Sequence, residues 1–332
     1  VSGVGLLDAD RVASAEAAAP PTPLWRRARG RVLAVAALLW ALLILTLPHA
    51  PGGWGNLGSL AQTLLPWTGL GVLMLLAGAA LRRSTLAAVA VLVPAVVWSA
   101  LFAGALGDKR GAGPVDLTVV SHNVSETNTA PSRTARALAA SGADVVALQE
   151  MPRSGAGSRA YARELAARFP YSAVKEGVGL WSRYPLRDVA PVEILPWPRA
   201  LRATVATPKG PVAVYVAHLA SVRVLPSVGF ATRSRNESAV KLAEAVRSER
   251  LARVVVAGDL NGSADDSALD PLTGQLRSAQ AAAGAGFGLS WPAAFPAVRI
   301  DHVLVRGVTP VSAWTLPSTG SDHLPVAASL RW

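Results

Sequence analysis

The chain has 332 residues, enough for one large domain and additional segments. It is 51% hydrophobic and only 16% charged, with a mean hydropathy of +0.35, whereas an ordinary soluble domain carries about 25% charged residues. It has no cysteine, which excludes disulfides and thiolate metal centres. Its net charge of +11 owes much to basic clusters in the apolar N-terminal part, so the charge does not by itself argue for a nucleic-acid binder.

The N-terminal segment, residues 1–31, ends in Trp25-Arg26-Arg27-Ala28-Arg29-Gly30-Arg31. Apolar runs follow at 32–47, 64–81 and 84–106. A spanning helix needs about 20 apolar residues, so these are read as three transmembrane helices. Pro48 before Ala50 suits a signal-peptide cleavage site poorly, and the first run is expected to be retained. Pro94 inside the third run is tolerable where neighbouring helices satisfy the backbone.

Basic residues flank the first span on its N-terminal side and recur at Arg82-Arg83, while 48–63 has none. The positive-inside rule then places the N-terminus in the cytoplasm and everything after the third span outside. Trp54 and Trp67 suit an interfacial aromatic belt. Residues 107–114, GDKRGAGP, read as a linker reaching at most about 27 Å when extended.

Residues 115–332 alternate strand and helix signals. Strands are expected at 115–124, 143–150, 171–175, 178–186, 253–262, 299–305 and 324–332, with a hairpin over 202–220. Helices are expected at 132–142 (capped by Ser132), 158–169 and 233–252. Continuous apolar strands indicate burial on both faces. The fold class is therefore α/β: two packed β-sheets flanked by helices, preceded by three transmembrane helices.

Several of these strands end in polar clusters: His122-Asn123, Gln149-Glu150, His218, Asp259-Leu260-Asn261 and Asp301-His302. Strand ends of this kind gather at one edge and form a site. Carboxylates, Asn and His without Cys favour hard cations, Mg²⁺, Ca²⁺ or Mn²⁺, over zinc, and Mg²⁺ or Mn²⁺ is the expected cofactor. A metal beside His–Asp pairs suits hydrolysis of a phosphoester. His122, Gln149 and His302 are read as packing or orienting groups. Asp265, Asp266 and Asp270 are read as solvated loop and cap residues. Arg183 is open between a surface arginine and a phosphate ligand.

The succession VSHNV, ALQE, AHL, GDLNG, RIDHV and GSDHLPV, within 116–332, resembles the endonuclease/exonuclease/phosphatase family, which includes DNase I and the neutral sphingomyelinases. The resemblance implies a DNase I-like four-layer sandwich and a divalent-metal phosphoesterase. It implies that Glu150, Asn123 and Asp322 form the metal site. It further implies that His323 meets the scissile phosphate with Asp301 orienting it, that Asp259 positions water or assists the leaving group, and that Asn261 and His218 bind phosphate oxygens.

A domain tethered to a bilayer meets lipid headgroups at high effective concentration, so a lipid-linked phosphate is favoured as partner over nucleic acid. The layout also resembles the VanJ-type membrane proteins of actinobacteria. That likeness implies action on a cell-wall lipid intermediate and resistance to glycopeptides such as teicoplanin. The competing readings are a phospholipid phosphodiesterase and a surface-anchored nuclease, the latter resting on a basic loop at 223–235 with Arg223, Arg233 and Arg235.

Overall fold

The computed structural model describes residues 24–50, 57–197, 199–225 and 229–332. Trp54 and residues 1–23 of the basic N-terminal segment lie outside the described residues.

Four helices precede the α/β part: α1 (Leu24–Thr46), α2 (Leu57–Thr63), α3 (Thr68–Leu81) and α4 (Thr85–Leu106). Gly30–His49 and Thr85–Leu106 are each long and apolar enough to cross a membrane, with mean hydropathies of 2.2 and 2.4. The middle apolar run, expected at 64–81, is entered from a separate short helix, with a 61° bend between Leu57–Thr63 and Leu65–Leu81. Pro66 lies in the 3₁₀ turn Leu65–Trp67 at this bend, where it offers no N–H to continue the ladder. Pro94, by contrast, is accommodated inside an unbroken α4.

Small residues let these helices approach closely. A Cβ on Gly69 would lie 2.6 Å from the Trp98 indole, and one on Gly30 would lie 2.5 Å from Ser84 Oγ. The second contact puts the start of α1 beside the α3–α4 turn. Arg31, Arg82 and Arg83 therefore gather at one end of the bundle.

The α/β part contains β1 (Leu117–Asn123), β2 (Val145–Gln149), β3 (Tyr171–Lys175), β4 (Val178–Ser182), β5 (Leu186–Pro191), β6 (Ala200–Thr207) and β7 (Gly210–His218). It continues with β8 (Arg223–Leu225), β9 (Gly229–Ala231), β10 (Val254–Asp259), β11 (Arg277–Ser278), β12 (Asp301–Arg306), β13 (Thr309–Thr315) and β14 (Val326–Arg331). One six-stranded sheet has the order β13-β14-β1-β2-β4-β3, and a second the order β11-β12-β10-β7-β6-β5. The strands β8 and β9 form a separate ribbon. Outer helices are α5 (Pro131–Ala139), α6 (Gly155–Ala166) and α7 (Arg233–Arg247).

The period-2 alternation of strands assigns each side chain to a layer. Leu117, Val119, Val214, Val216, Val255 and Val303 fill the space between the sheets. Val120 and Val146 turn outward to Leu138 and Leu165 of α5 and α6. Ala213 and Tyr215 turn outward to Leu242 and Val246 of α7. Both faces of the central strands are thus buried, which explains their unbroken apolar runs. The helix–sheet–sheet–helix layering agrees with the expected fold class.

The helix expected to begin at a Ser132 cap begins one residue earlier. Pro131 occupies its first turn and Ala130 the cap position, with no side-chain cap bond. Proline's fixed φ suits that first position, so the Ser132 hydroxyl is not needed there. The strands β5 and β13 were not anticipated. The β5 residues from Arg187 to Pro191 are exposed, and a one-sided polar edge strand gives little apolar signal.

Each sheet has one parallel pair, β1–β2 and β7–β10. The crossovers run through α5 and α7. The flanking strands β14 and β12 are antiparallel to β1 and β10. The C-terminal ends of β1, β2, β7 and β10 therefore share one edge with the N-terminal ends of β12 and β14. All the expected site residues lie at those ends.

The linker 107–114 is fastened down rather than loose. Lys109 N donates to Gly284 O at 3.1 Å, and Gly111 N donates to Val311 O at 2.7 Å.

Candidate active site

Strand register sets the centre of the site. Asp259 at the end of β10 is paired across the ladder with His218 on one side and Asp301 on the other. Side chains of register partners share a face, so three polar groups converge under the mouth of the sandwich. Asn123, at the end of β1 in the other sheet, closes the gap by donating Nδ2–H to Asp259 Oδ2 at 2.9 Å. Its own Oδ1 accepts from Ser125 N at 3.0 Å. Asp259 Oδ1 accepts from Asn261 N at 2.9 Å, and Asn261 Nδ2 donates to Leu219 O at 3.1 Å.

The turn before β14 delivers His323. Ser321 Oγ donates to Asn123 O at 2.7 Å and accepts from His323 N at 3.1 Å. This fixes the turn against β1. The His323 Nδ1 then lies 2.8 Å from Asp301 Oδ2, which also accepts from Ser290 Oγ at 2.7 Å. His323 Nε2 lies 3.8 Å from Asp259 Oδ2. His218 Nε2 lies 3.5 Å from Glu150 Oε1 and 3.7 Å from Asp259 Oδ2.

Glu150 follows β2 in the left-handed backbone region, with φ of +51°. A non-glycine residue there is strained by about 1–2 kcal/mol. Asn261 is also left-handed, at +48°, but asparagine tolerates that region. Asp322 is exposed at the rim, and Trp291 Nε1 donates to its Oδ2 at 3.3 Å.

Burial and charge set the protonation states. Burial disfavours the His323 imidazolium, but the Asp301 hydrogen bond and the Asp301, Asp259 and Asp322 charges outweigh it and raise the pKa to about 9. Burial, with the Asp301 charge, pushes the Asp259 carboxyl up to about 7. Burial holds the His218 imidazole well below its ordinary range, helped by the Arg199 and His323 charges. The arrangement thus holds a cationic imidazole, a neutral one, and a carboxyl able to exchange a proton near neutrality.

The residues suit a hard divalent cation. Glu150, Asp259 and Asp322 line the same 440 Å³ cavity as His323. Asp301 Oδ1 and His218 Nε2 are buried without hydrogen-bond partners among the described residues. Donor atoms of Asp259, Asp301 and His323 lie within 4.8 Å of one another, but an imidazolium hydrogen-bonded to Asp301 has no lone pair for a cation, so this trio does not itself make the cation site. Carboxylate-rich oxygen sets are those Mg²⁺ and Mn²⁺ take.

All eight expected residues, from Asn123 to His323, are brought to this edge. The residues read as structural behave differently from one another. His122 is buried with Nε2 on Thr319 Oγ1 at 2.8 Å, and His302 Nε2 meets Gly262 O at 2.8 Å. Arg183 pairs with Asp144 at 2.9 Å and takes no part in the site. Asp266 is not solvated: it caps the 3₁₀ turn Ser267–Leu269 and forms a buried ion pair with Arg235 at 2.7 Å. With Arg235 so engaged, the basic loop offered for nucleic acid loses one of its three arginines.

Five residues at the site carry no recognisable sequence signal for it. Arg199 shares the electrostatic environment of Glu150 and Asp259, and burial lowers its pKa below the ordinary value. Trp291 lines the cavity, and its only sequence signal was an aromatic shortly before RIDHV. Leu60, Thr63 and Leu64, from the apolar N-terminal part, also line it.

The Endonuclease/Exonuclease/phosphatase family model matches residues 120–323. Among solved structures, a humanized TDP2 from D. rerio is 20% identical with a TM-score of 0.53, covering 65% of this chain and 99% of that one. A double mutant of beta toxin from Staphylococcus aureus with bound magnesium ions is 15% identical with a TM-score of 0.51, covering 64% and 99%. An endonuclease/exonuclease/phosphatase family protein from Leptotrichia buccalis is 13% identical with a TM-score of 0.51, covering 65% and 100%. No curated protein matches this sequence.

Proposed function

The chain belongs to the endonuclease/exonuclease/phosphatase family of metal-dependent phosphoesterases, and on that premise we propose that it is a membrane-anchored enzyme acting outside the cytoplasm on a lipid-linked phosphate or pyrophosphate. The observation that carries this reading is the docking of the site onto the apolar helices. Trp67 Nε1, at the bend before α3, donates to Ala297 O at 2.7 Å, and Ala297 lines the catalytic cavity. With three passes, the bent pair counting as one, the cavity opens at the surface of the bilayer. The basic residues Arg31, Arg82 and Arg83 lie at the opposite end, so the positive-inside rule faces the site outward.

In this reading Glu150 and Asp322 hold the cation, and Asn123 ties Asp259 to that side of the site. When bound, the divalent ion neutralises charge on the phosphoryl group. His323, held by Asp301, presents its Nε2 hydrogen to a phosphate oxygen, where negative charge grows in the transition state. Asp259, with its pKa near neutrality, exchanges a proton with the attacking water or the leaving oxygen. His218 and Asn261 orient the remaining oxygens.

A cell-wall lipid intermediate, such as an undecaprenyl phosphate or pyrophosphate, is the member of the class to which the layout points. Its turnover would support resistance to teicoplanin. The test is a substrate panel on purified full-length protein with Mg²⁺ or Mn²⁺: polyprenyl pyrophosphate, phospholipids and DNA. Preference for a lipid phosphate is expected, and preference for DNA overturns the reading. Glycopeptide sensitivity of cells with and without the active protein tests the resistance role.

A further inference from the structure

We propose that the anchor is a working part of the substrate site: α2 forms a wall of the catalytic cavity, and a groove between α3 and α4 receives the hydrocarbon chain of the phosphoester. The inference rests on the lipid-phosphate reading above and names the residues that would give it effect.

The cavity holding Glu150, Asp259 and His323 is lined on its far side by Leu60, Thr63 and Leu64. Two apolar side chains facing a phosphate site contribute nothing to binding phosphate. They suit the first carbons beyond it.

This wall is held rigidly. Ser59 Oγ hydrogen-bonds Asp266 and accepts from Arg235 Nη2 at 2.9 Å. Gln62, 1% exposed, accepts from Ser267 N at 3.1 Å and donates to Pro48 O at 3.1 Å. Arg235 Nη1 also donates to Asn261 O at 3.0 Å. The same guanidinium therefore touches α2 and the backbone of a site residue. The buried Arg235–Asp266 pair lies within the α/β part, and Ser59 gives it a further partner from α2, which matters because burying charge costs stability unless it is well paired.

A second cavity of 390 Å³ begins where this wall ends. Trp67, Gly69, Leu73, Trp98 and Ser99 line it, with Phe287 from the α/β part. Trp98, Phe102 and Phe287 form an aromatic cluster, with ring centroids 5.4 to 6.5 Å apart. The linings of the two cavities touch, because Trp67 lines the second and bonds to Ala297 of the first. Exposed Leu70 lines the second cavity and is bilayer-facing in the spanning arrangement. Phe295, 72% exposed, lies in the loop that carries Ala297. An amphipathic phosphoester fits this geometry by leaving the bilayer sideways, phosphate toward His323 and chain along Trp67 and Trp98.

The test uses full-length protein in lipid nanodiscs and a series of alkyl 4-nitrophenyl phosphates from ethyl to octyl. Hydrolysis places water's oxygen on phosphorus and releases 4-nitrophenolate. Each methylene buried raises kcat/KM by up to about fourfold. The wild type is expected to rise steadily with chain length. Ser99→Phe, which fills the groove, should flatten the rise at the longer chains while the ethyl ester rate, the check on folding, stays within twofold. Leu60→Ser with Leu64→Ser should reduce the gain from the first carbons. Ser99→Ala should match the wild type.

Hydrolysis of the ethyl ester with no chain-length gain overturns this inference and leaves a phosphoesterase. A gain unchanged in both variants also overturns it. Should the wild type prefer DNA and reject every alkyl ester, the lipid-phosphate reading falls, and the groove assignment with it.

Discussion

His323 Nδ1 and Asp301 Oδ2 share a 2.8 Å hydrogen bond, and because an ionised carboxylate only accepts, that bond places a hydrogen on Nδ1 and turns Nε2 toward the cavity. Asp301 therefore acts through His323: it selects a tautomer and stabilises the imidazolium. His323→Ala is expected to lower kcat on a soluble phosphodiester by about 10²–10⁴-fold. Asp301→Asn should lower kcat strongly with a smaller effect on KM, because the asparagine can present either a donor or an acceptor and no longer fixes the ring. Steady-state kinetics with saturating Mg²⁺ decide this. Retention of more than a tenth of wild-type kcat by His323→Ala removes it from the reaction.

The same bond predicts a pH dependence of stability. The folded pKa of His323 is raised to about 9, above the ordinary value of about 6.5 that the unfolded chain keeps. The stabilisation is fully present below pH 6.5 and is lost as pH rises through 9. Asp259, raised to about 7, works in the same sense at lower pH, losing stability from about 3.8 upward. In EDTA, the Tm advantage of wild type over His323→Gln is expected to shrink between pH 6.5 and 9.5. An advantage that grows with pH contradicts the assigned charge state.

Glu150 offers a separation of stability from activity. Its φ of +51° is strained for glutamate and fits a residue held for function. Glu150→Asn replaces it with a side chain that tolerates the left-handed region. Tm in EDTA is expected to rise by about 2 °C, from a gain of about 0.5–1 kcal/mol, while Mg²⁺-dependent turnover disappears. A fall in Tm accompanied by retained turnover would falsify the role assigned to this residue.

The legible and illegible parts of this molecule differ in a physical way. Strands buried on both faces advertise themselves as apolar runs, and polar groups at their ends stand out against that background. This made Asn123, His218 and Asp259 readable. Partners that meet only in three dimensions leave no local trace. Asp266 reads as one of several loop carboxylates, because its partner Arg235 lies 31 residues away in the chain. Leu64 reads as the start of an apolar run and Leu60 as part of the segment before it, and nothing in their spacing shows that they face a phosphate site. The bend at Pro66 was likewise hidden, because composition reports apolarity and not direction.

The buried pair Arg235–Asp266 gives the last prediction. Both side chains are at most 1% exposed, with Nη2 and Oδ2 2.7 Å apart, and Ser59 of α2 hydrogen-bonds both. Removing one partner leaves an uncompensated charge in a dry site, at a cost of about 3–5 kcal/mol. Arg235→Met and Asp266→Leu are each expected to lower the Tm of the full-length protein on the order of 10 °C. The double replacement should recover most of that loss, because no charge is then stranded and the volume is retained. Thermal unfolding of the wild type, both singles and the double gives the coupling directly. Additive losses would mean that the two side chains do not act as a pair, and that α2 is held over the site by its other contacts alone.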